Sequence, residues 1–126
     1  MTAAELKEFQ RMQLERWPMA AAAFKALEKV ETKVVAAGGM EVVCQHNPAR
    51  IVSTGAKTDV KSVAARPCFL CGRNRPAEQM AVEWGEYEVL VNPFPIFPVH
   101  FTVAAVRHLP QLISGEGCRR FGHMLE

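Results

Sequence analysis

Two thiols three positions apart, in the stretch Cys68-Phe69-Leu70-Cys71, are the residues of this chain best spaced for chemistry. Such spacing lets two thiolates converge on one ion, and Gly72 directly afterwards permits a tight knuckle whose backbone N–H groups point at sulfur. A redox pair and two unligated structural cysteines are the alternatives. A redox pair normally sits between a strand and a helix in a βαβ unit, whereas polar residues and prolines flank this one, so the pattern favours a metal, with zinc as the expected ion. A tetrahedral site needs four ligands, and the chain has no second pair of this kind. The other candidate donors are His46, His100, His108, His123, Cys44 and Cys118. His108 is the best placed, because it ends the strand-like run 99–107, where a turn can aim its imidazole at the knuckle. A solvent-facing histidine before a helix is the competing reading.

The elements that must position these groups divide into a helical front and a strand-rich back. Thr2 and Glu5 form a capping-box pattern, and Leu6, Phe9, Gln13 and Trp17 recur at helical spacing, which predicts a first helix up to Pro18. Ala20, Phe24, Leu27, Val30 and Val34 predict a second amphipathic helix from Met19 that Gly38 and Gly39 stop. Strands are expected at 40–45 and 51–54, on either side of an Asn47-Pro48 turn, followed by a polar connector over 55–65. Three further strands are expected within 80–84, 87–92 and 99–106, paired antiparallel, with Tyr87, Val89 and Val91 on one face. The proline-rich run 92–98 reads as a shaped loop or an edge, and a final helix is expected near the C-terminus. The fold class is therefore α+β: N-terminal helices followed by an antiparallel sheet.

Composition bounds the function. With 126 residues, 49% of them hydrophobic, and a formal charge of +2, the chain is expected to form one domain, residues 1–126. The near-balanced charge argues against nucleic acid as a partner, and no stretch is apolar enough to span a bilayer. The N-terminal residues do not read as a secretory leader, so a cytoplasmic setting is expected, in which free or metal-bound thiols are favoured over disulfides.

The segment CFLCGRN (68–74) resembles the knuckle of the galactose-1-phosphate uridylyltransferases. FPVHFTVAAVRHLPQL (97–112) is similar to a strand-and-turn segment of the histidine-triad superfamily to which those enzymes belong. QHNPARIVSTGAK (45–57) shows a looser likeness. NRPAEQ (74–79) and NPFPIFPVHFT (92–102) resemble an uncharacterised bacterial group in that branch, and HLPQ (108–111) resembles the GDP-hexose phosphorylases. The likeness covers roughly residues 40–113. It implies a helical region over 1–38 and, over 39–126, the N-terminal half of a histidine-triad-like domain from a longer nucleotidyltransferase or nucleotide-sugar phosphorylase. Cys68, Cys71 and His108 match three of the four metal ligands of that branch. The fourth ligand, and the nucleophile that attacks the α-phosphorus, belong there to a later His-x-His segment. This chain contains no such motif, so on its own it is expected to bind without catalysing.

The resemblance also implies that Asn92, Pro93 and Phe94 line a pocket for a nucleotide or nucleotide sugar. Physically, Asn92 offers a donor and an acceptor for sugar hydroxyls, and the stiff loop with Phe94 and Phe97 offers an apolar face for a base. The alternative is that Phe94, Ile96 and Phe97 fill core. Arg50, Lys57 and Arg66, followed by Arg73 and Arg75, are the candidate cations for phosphate oxygens. His100 reads as a structural, hydrogen-bonded histidine. Unpaired sheet edges would favour a homodimer formed by strand pairing or exchange. A non-enzymatic zinc-knuckle module for structure or partner binding is the alternative function.

Overall fold

A computed structural model of the chain describes residues 1–51, 55–109 and 115–125, the last of these without the side chains of 120, 121 and 123–125. Helix α1 (Ala3–Arg16) begins at the expected capping box: the Glu5 N–H donates to Thr2 Oγ1 at 3.3 Å, and the Thr2 N–H donates to the Glu5 carboxylate at 2.6 Å. These bonds hold the Glu5 carboxyl below its ordinary range. Trp17 ends the helix, and Pro18 starts α2 (Pro18–Lys25) at a first-turn position, where its missing N–H costs nothing.

The second helix stops earlier than its periodicity predicts. A short 3₁₀ turn (Ala26–Lys29) closes it, and Val30 and Val34 lie beyond it. Residues 31–46 form a hairpin, β1 (Glu31–Ala37) antiparallel to β2 (Met40–His46), with Ala37 opposite Met40 and Val34 opposite Val43. The helical spacing of Val30 and Val34 coincides with a β-branched run, and Gly38 and Gly39 close a two-residue turn instead of capping a helix. Both glycines have positive φ, +58° and +81°, which a type I′ hairpin turn demands. Every residue of both strands is exposed.

Further along, the Asn47-Pro48 turn is a 3₁₀ turn (Pro48–Arg50). Ile51 continues in helical conformation rather than as a strand, and residues 52–54 of that expected strand lie outside the described residues. Part of the expected connector 55–65 is instead a helix, α3 (Val60–Ala65), because Asp59 caps it by accepting the Ser62 N–H at 3.0 Å.

The main sheet is antiparallel in the order β3 (Val82–Trp84), β4 (Tyr87–Val91), β5 (Phe101–Ala105). Val89 faces Val82 on one side and Val103 on the other. Val89, Leu90 and Val91 are all buried, so the central strand packs on both faces, each side chain contributing about 1.5–3 kcal/mol. Helix α4 (Gly115–Leu125) follows near the C-terminus. No helix of the described residues is long and apolar enough to cross a membrane.

Helix α1 lies against this sheet through an unusually polar face. Phe9 stacks on Phe101 at 6.3 Å between ring centroids. Gln13, fully buried, donates to the Glu78 carbonyl at 2.8 Å and accepts the Met80 N–H at 2.6 Å. Gln10 donates to the Pro98 carbonyl at 2.7 Å. The chain over 77–80 has no ladder partner for these groups, and an amide is the side chain that offers a donor and an acceptor together. Gln13→Leu removes the partner of the Glu78 carbonyl and of the Met80 N–H at a buried contact and is expected to cost about 2–4 kcal/mol in urea unfolding. Arg11→Ala, which removes exposed ion pairs to Glu8 and Glu15, is expected to cost less than about 1 kcal/mol. Equal losses in the two variants would contradict this account of the α1 interface.

Candidate metal centre

The knuckle is built from short-range bonds around Cys68 and Cys71. The Cys71 N–H donates to the Cys68 carbonyl at 3.2 Å, and a 3₁₀ turn (Gly72–Asn74) follows, in which the Asn74 N–H donates to the Cys71 carbonyl at 2.8 Å. Asn74 adds a side-chain bond to the Cys68 carbonyl at 2.9 Å. Gly72 does not take a left-handed conformation, and a Cβ there would meet open space, so the turn does not require glycine.

Arg75 clamps this turn to the sheet. Its Nε and Nη2 donate to the Leu70 carbonyl at 2.9 and 2.6 Å, and its guanidinium pairs with Glu88 of β4. The two side chains are only 8% and 17% exposed. An Arg–carboxylate pair this enclosed positions the knuckle beside β4, and it takes Arg75 out of the set of phosphate-binding cations.

His108 arrives from the other side. Ala105 pairs with Tyr87, and the Val106 N–H donates to the Glu86 carbonyl at 3.0 Å, which extends the β4–β5 ladder to within two residues of His108. His108 Nδ1 then lies 3.2 Å from Cys71 Sγ, and the three donor atoms of Cys68, Cys71 and His108 all fall within 4.8 Å of one another. A tetrahedral ion with sulfur at about 2.3 Å and nitrogen at about 2.0–2.1 Å requires donor separations near 3.5–3.8 Å, which this set can reach by small side-chain adjustments. These three side chains can hold a metal ion, and no other group of this kind occurs among the described residues.

The electrostatics at sulfur are asymmetric. The Leu70 N–H, followed by the Cys71 side chain and N–H and by Arg75, holds the Cys68 thiol below its ordinary pKa. Burial, then the adjacent Cys68, pushes Cys71 up. Backbone N–H groups aimed at sulfur favour the thiolate form that a metal ion binds. Both thiols are free, and among the described residues no βαβ unit surrounds them, which disfavours the redox alternative.

The other sequence candidates go elsewhere. Cys44 and His46 belong to the exposed hairpin, where His46 lies 3.9 Å from Glu31. Cys118 is exposed on α4, and the side chain of His123 lies outside the described residues. His100 is structural, as expected: its Nδ1 accepts the Ile96 N–H at 3.2 Å and its carbonyl accepts the Asn92 N–H at 3.0 Å.

Asn92, Pro93 and Phe94 are half-buried at the start of the loop 92–98. The Asn92 amide is already engaged there, accepting the Phe94 N–H at 2.8 Å and donating to Thr102 Oγ1 at 3.3 Å. Pro95 is fully buried, whereas Phe97 is 59% exposed and meets His100 edge-on at 6.2 Å. Arg50, half-buried, lies close enough for its charge to add to burial in lowering the pKa of His100. Arg66 donates to the Ser62 and Lys57 carbonyls at 3.2 and 2.7 Å, so it braces the segment before the knuckle, while Lys57 and Arg73 are exposed. Thus Asn92 and Arg50 both lie near His100, Pro93 and Phe94 follow Asn92 in the loop, and Lys57 and Arg66 are joined to each other.

Two outcomes test this geometry. Arg75→Ala strands the Glu88 carboxylate and is expected to cost about 3–5 kcal/mol, while the paired change Arg75→Met with Glu88→Leu costs clearly less; urea unfolding at neutral pH compares them, and equal costs would contradict the clamp. The lowered pKa of His100 predicts acid sensitivity. Well above pH 6.5, its ordinary value, the imidazole is neutral in the folded and unfolded chains alike, and as pH falls towards and through that value the unfolded chain takes up the proton first. Stability should therefore decline between pH 7 and 5.5, and His100→Gln should flatten the decline.

A family model described as a domain of unknown function, DUF4922, matches residues 9–125, from α1 through the knuckle, His108 and α4. No curated protein and no solved structure matches the chain. The chain therefore belongs to the DUF4922 family.

Proposed function

We infer that this chain is a zinc-anchored domain that binds a nucleotide or nucleotide sugar. The observation that carries the reading is the meeting of Cys68, Cys71 and His108. These are the three ligands that the resemblance to the uridylyltransferase branch of the histidine-triad superfamily singles out, and the third lies 37 residues beyond the second. Two thiolates and an imidazole suit zinc among the common biological ions. A bound zinc would act structurally, joining the knuckle to the exit of β5, and such an ion can contribute on the order of 10 kcal/mol to folding.

The ligand side of the reading rests on the loop 92–98. Its conformation is fixed by the Asn92 turn, the buried Pro95 and the bond from Ile96 to His100. A preorganised loop loses little entropy on binding. Phe94 and the exposed face of Phe97 offer apolar surface for a base, and Arg50 supplies a guanidinium for phosphate. With the Asn92 amide engaged in the turn, the Asn92 backbone carbonyl is the better candidate for a sugar hydroxyl. The reading assigns binding and not nucleophilic attack, since the chain contains no His-x-His.

A non-enzymatic, zinc-stabilised partner-binding module is the second reading. The hairpin 31–46, with apolar side chains exposed on both faces, favours it.

Metal analysis of protein purified without added metal should return about one zinc per chain, and Cys68→Ser should abolish it and lower the melting temperature. A thermal-shift and calorimetry series with GDP, UDP and ADP sugars then separates the two readings. Stabilisation by at least one of them, weakened about tenfold or more by Arg50→Ala, supports the nucleotide pocket. Zinc present with no response to any nucleotide would favour the module, and absence of zinc would overturn both.

A further inference from the structure

We propose that the outer edge of β2 is a self-association surface and that its occupant is β2 of a second copy of this chain, giving a continuous four-stranded sheet. The hairpin needs a partner on physical grounds. Val34, Val35, Met40, Val42 and Val43 are 58%, 40%, 68%, 43% and 66% exposed, and they occupy both faces of a ribbon that, among the described residues, contains two strands. Two-stranded ribbons are marginal in water, and contiguous exposed apolar patches mark interaction sites.

The register of the hairpin identifies which backbone groups are available. Ala37 and Met40 flank the two-residue turn, so they form a hydrogen-bonded pair, and alternation makes 35/42, 33/44 and 31/46 bonded pairs as well. The peptide groups of Glu41, Val43 and Gln45 therefore point outward along the free edge of β2. Among the described residues, no backbone bond outside the hairpin uses them.

The edge is also lightly defended, Glu41 being the one carboxylate or cation on β2. Proteins blunt exposed edges with lysine, proline or bulges. The β1 strand carries Lys33 near its middle, whereas β2 has no Lys, Arg, Pro or Gly between Met40 and His46, and its pairing is unbroken. Asn47 and Pro48 end it cleanly.

Its sequence is self-complementary in one symmetric register. With Val43 opposite Val43 of the second copy, Glu41 falls opposite Gln45, Val42 opposite Cys44 and Met40 opposite His46. All three outward-pointing positions then become bonded pairs, and no like charges face each other. Because Val34 already pairs with Val43, this register also sets four valines in one row across the sheet, Val34 and Val43 from each copy. On the other face Val35, Val42 and Cys44 form a similar band with the residues of the second copy. Such an isologous contact closes on itself and gives a dimer, not a fibre.

The inference is independent of the metal and of any nucleotide, and its test leaves both in place. Light scattering and sedimentation across a concentration series should show a dimer. Val43→Lys, which sets two lysines against each other on the symmetry axis, should raise the dimer dissociation constant at least tenfold, and Thr32→Lys on the outer edge of β1 should leave it nearly unchanged. Independently of how Val43→Lys folds, Val43→Cys in a Cys44→Ser background should cross-link to a dimer under mild oxidant, with Thr32→Cys and Cys44→Ser alone as the comparisons. A monomer at every concentration, a dimer lost on Thr32→Lys but not on Val43→Lys, or cross-linking through position 32 and not 43 would overturn the proposal. A dimer that survives Val43→Lys with no cross-link at position 43 would assign the interface elsewhere and overturn it equally.

Discussion

Three donor atoms from two separate segments, two sulfurs and an imidazole nitrogen, meet at one point, and β4 is the element that holds both segments there. Cys68 and Cys71 come from an irregular stretch with little secondary structure of its own, and His108 comes from the end of a strand. Arg75 fastens the first to β4 through Glu88 and the Leu70 carbonyl, and the bond from Val106 to Glu86 fastens the second to the turn before the same strand. The central strand is thus the common reference for both halves of the site. It is also a strand buried on both faces, so the site rests on the packed centre of the main sheet.

The helical front completes that frame with polar side chains as much as apolar ones. Gln10 and Gln13 bond to backbone that leads into β5 and β3, respectively, where no ladder exists to satisfy it. These bonds fix the entry of each outer strand, while Phe9 on Phe101 supplies the apolar contact. The loop 92–98 is braced similarly, by Asn92 at one end and His100 at the other. Around it the chain also brings Gln45, which donates to the Ile96 carbonyl at 3.2 Å, and Arg50, so the base of the hairpin sits beside the loop that the nucleotide reading requires.

Much of this was legible in the residues alone, and the exceptions have physical causes. The capping box, the three strands of the main sheet and the loop nature of 92–98 follow from local signals, and the structure bears them out, while His108, picked out by its place after the strand, lies where it could hold an ion together with the two cysteines. Val30 and Val34 misled because helical spacing can be satisfied by a β-branched run over a few turns; the better signal was Gly38-Gly39 flanked by Thr32, Val34, Val35, Val42 and Val43, a hairpin pattern. Arg75 and Arg66 looked like phosphate-binding cations, yet both spend their donors on backbone carbonyls, and nothing in the order of residues reveals that Glu88 lies beside Arg75. Helical spacing puts Gln13 in line with Phe9 and Trp17, but its role depends on the backbone at 78–80, which only the tertiary structure brings beside it.

The central claim is that sulfur from positions 68 and 71 and nitrogen from position 108 share one zinc ion. X-ray absorption at the zinc edge of the purified protein tests it most directly. The account predicts two sulfur atoms at about 2.3 Å with nitrogen or oxygen at about 2.0–2.1 Å, and loss of one light-atom contribution in His108→Ala. A shell without sulfur, a four-sulfur shell, or a spectrum that His108→Ala leaves unchanged would contradict it.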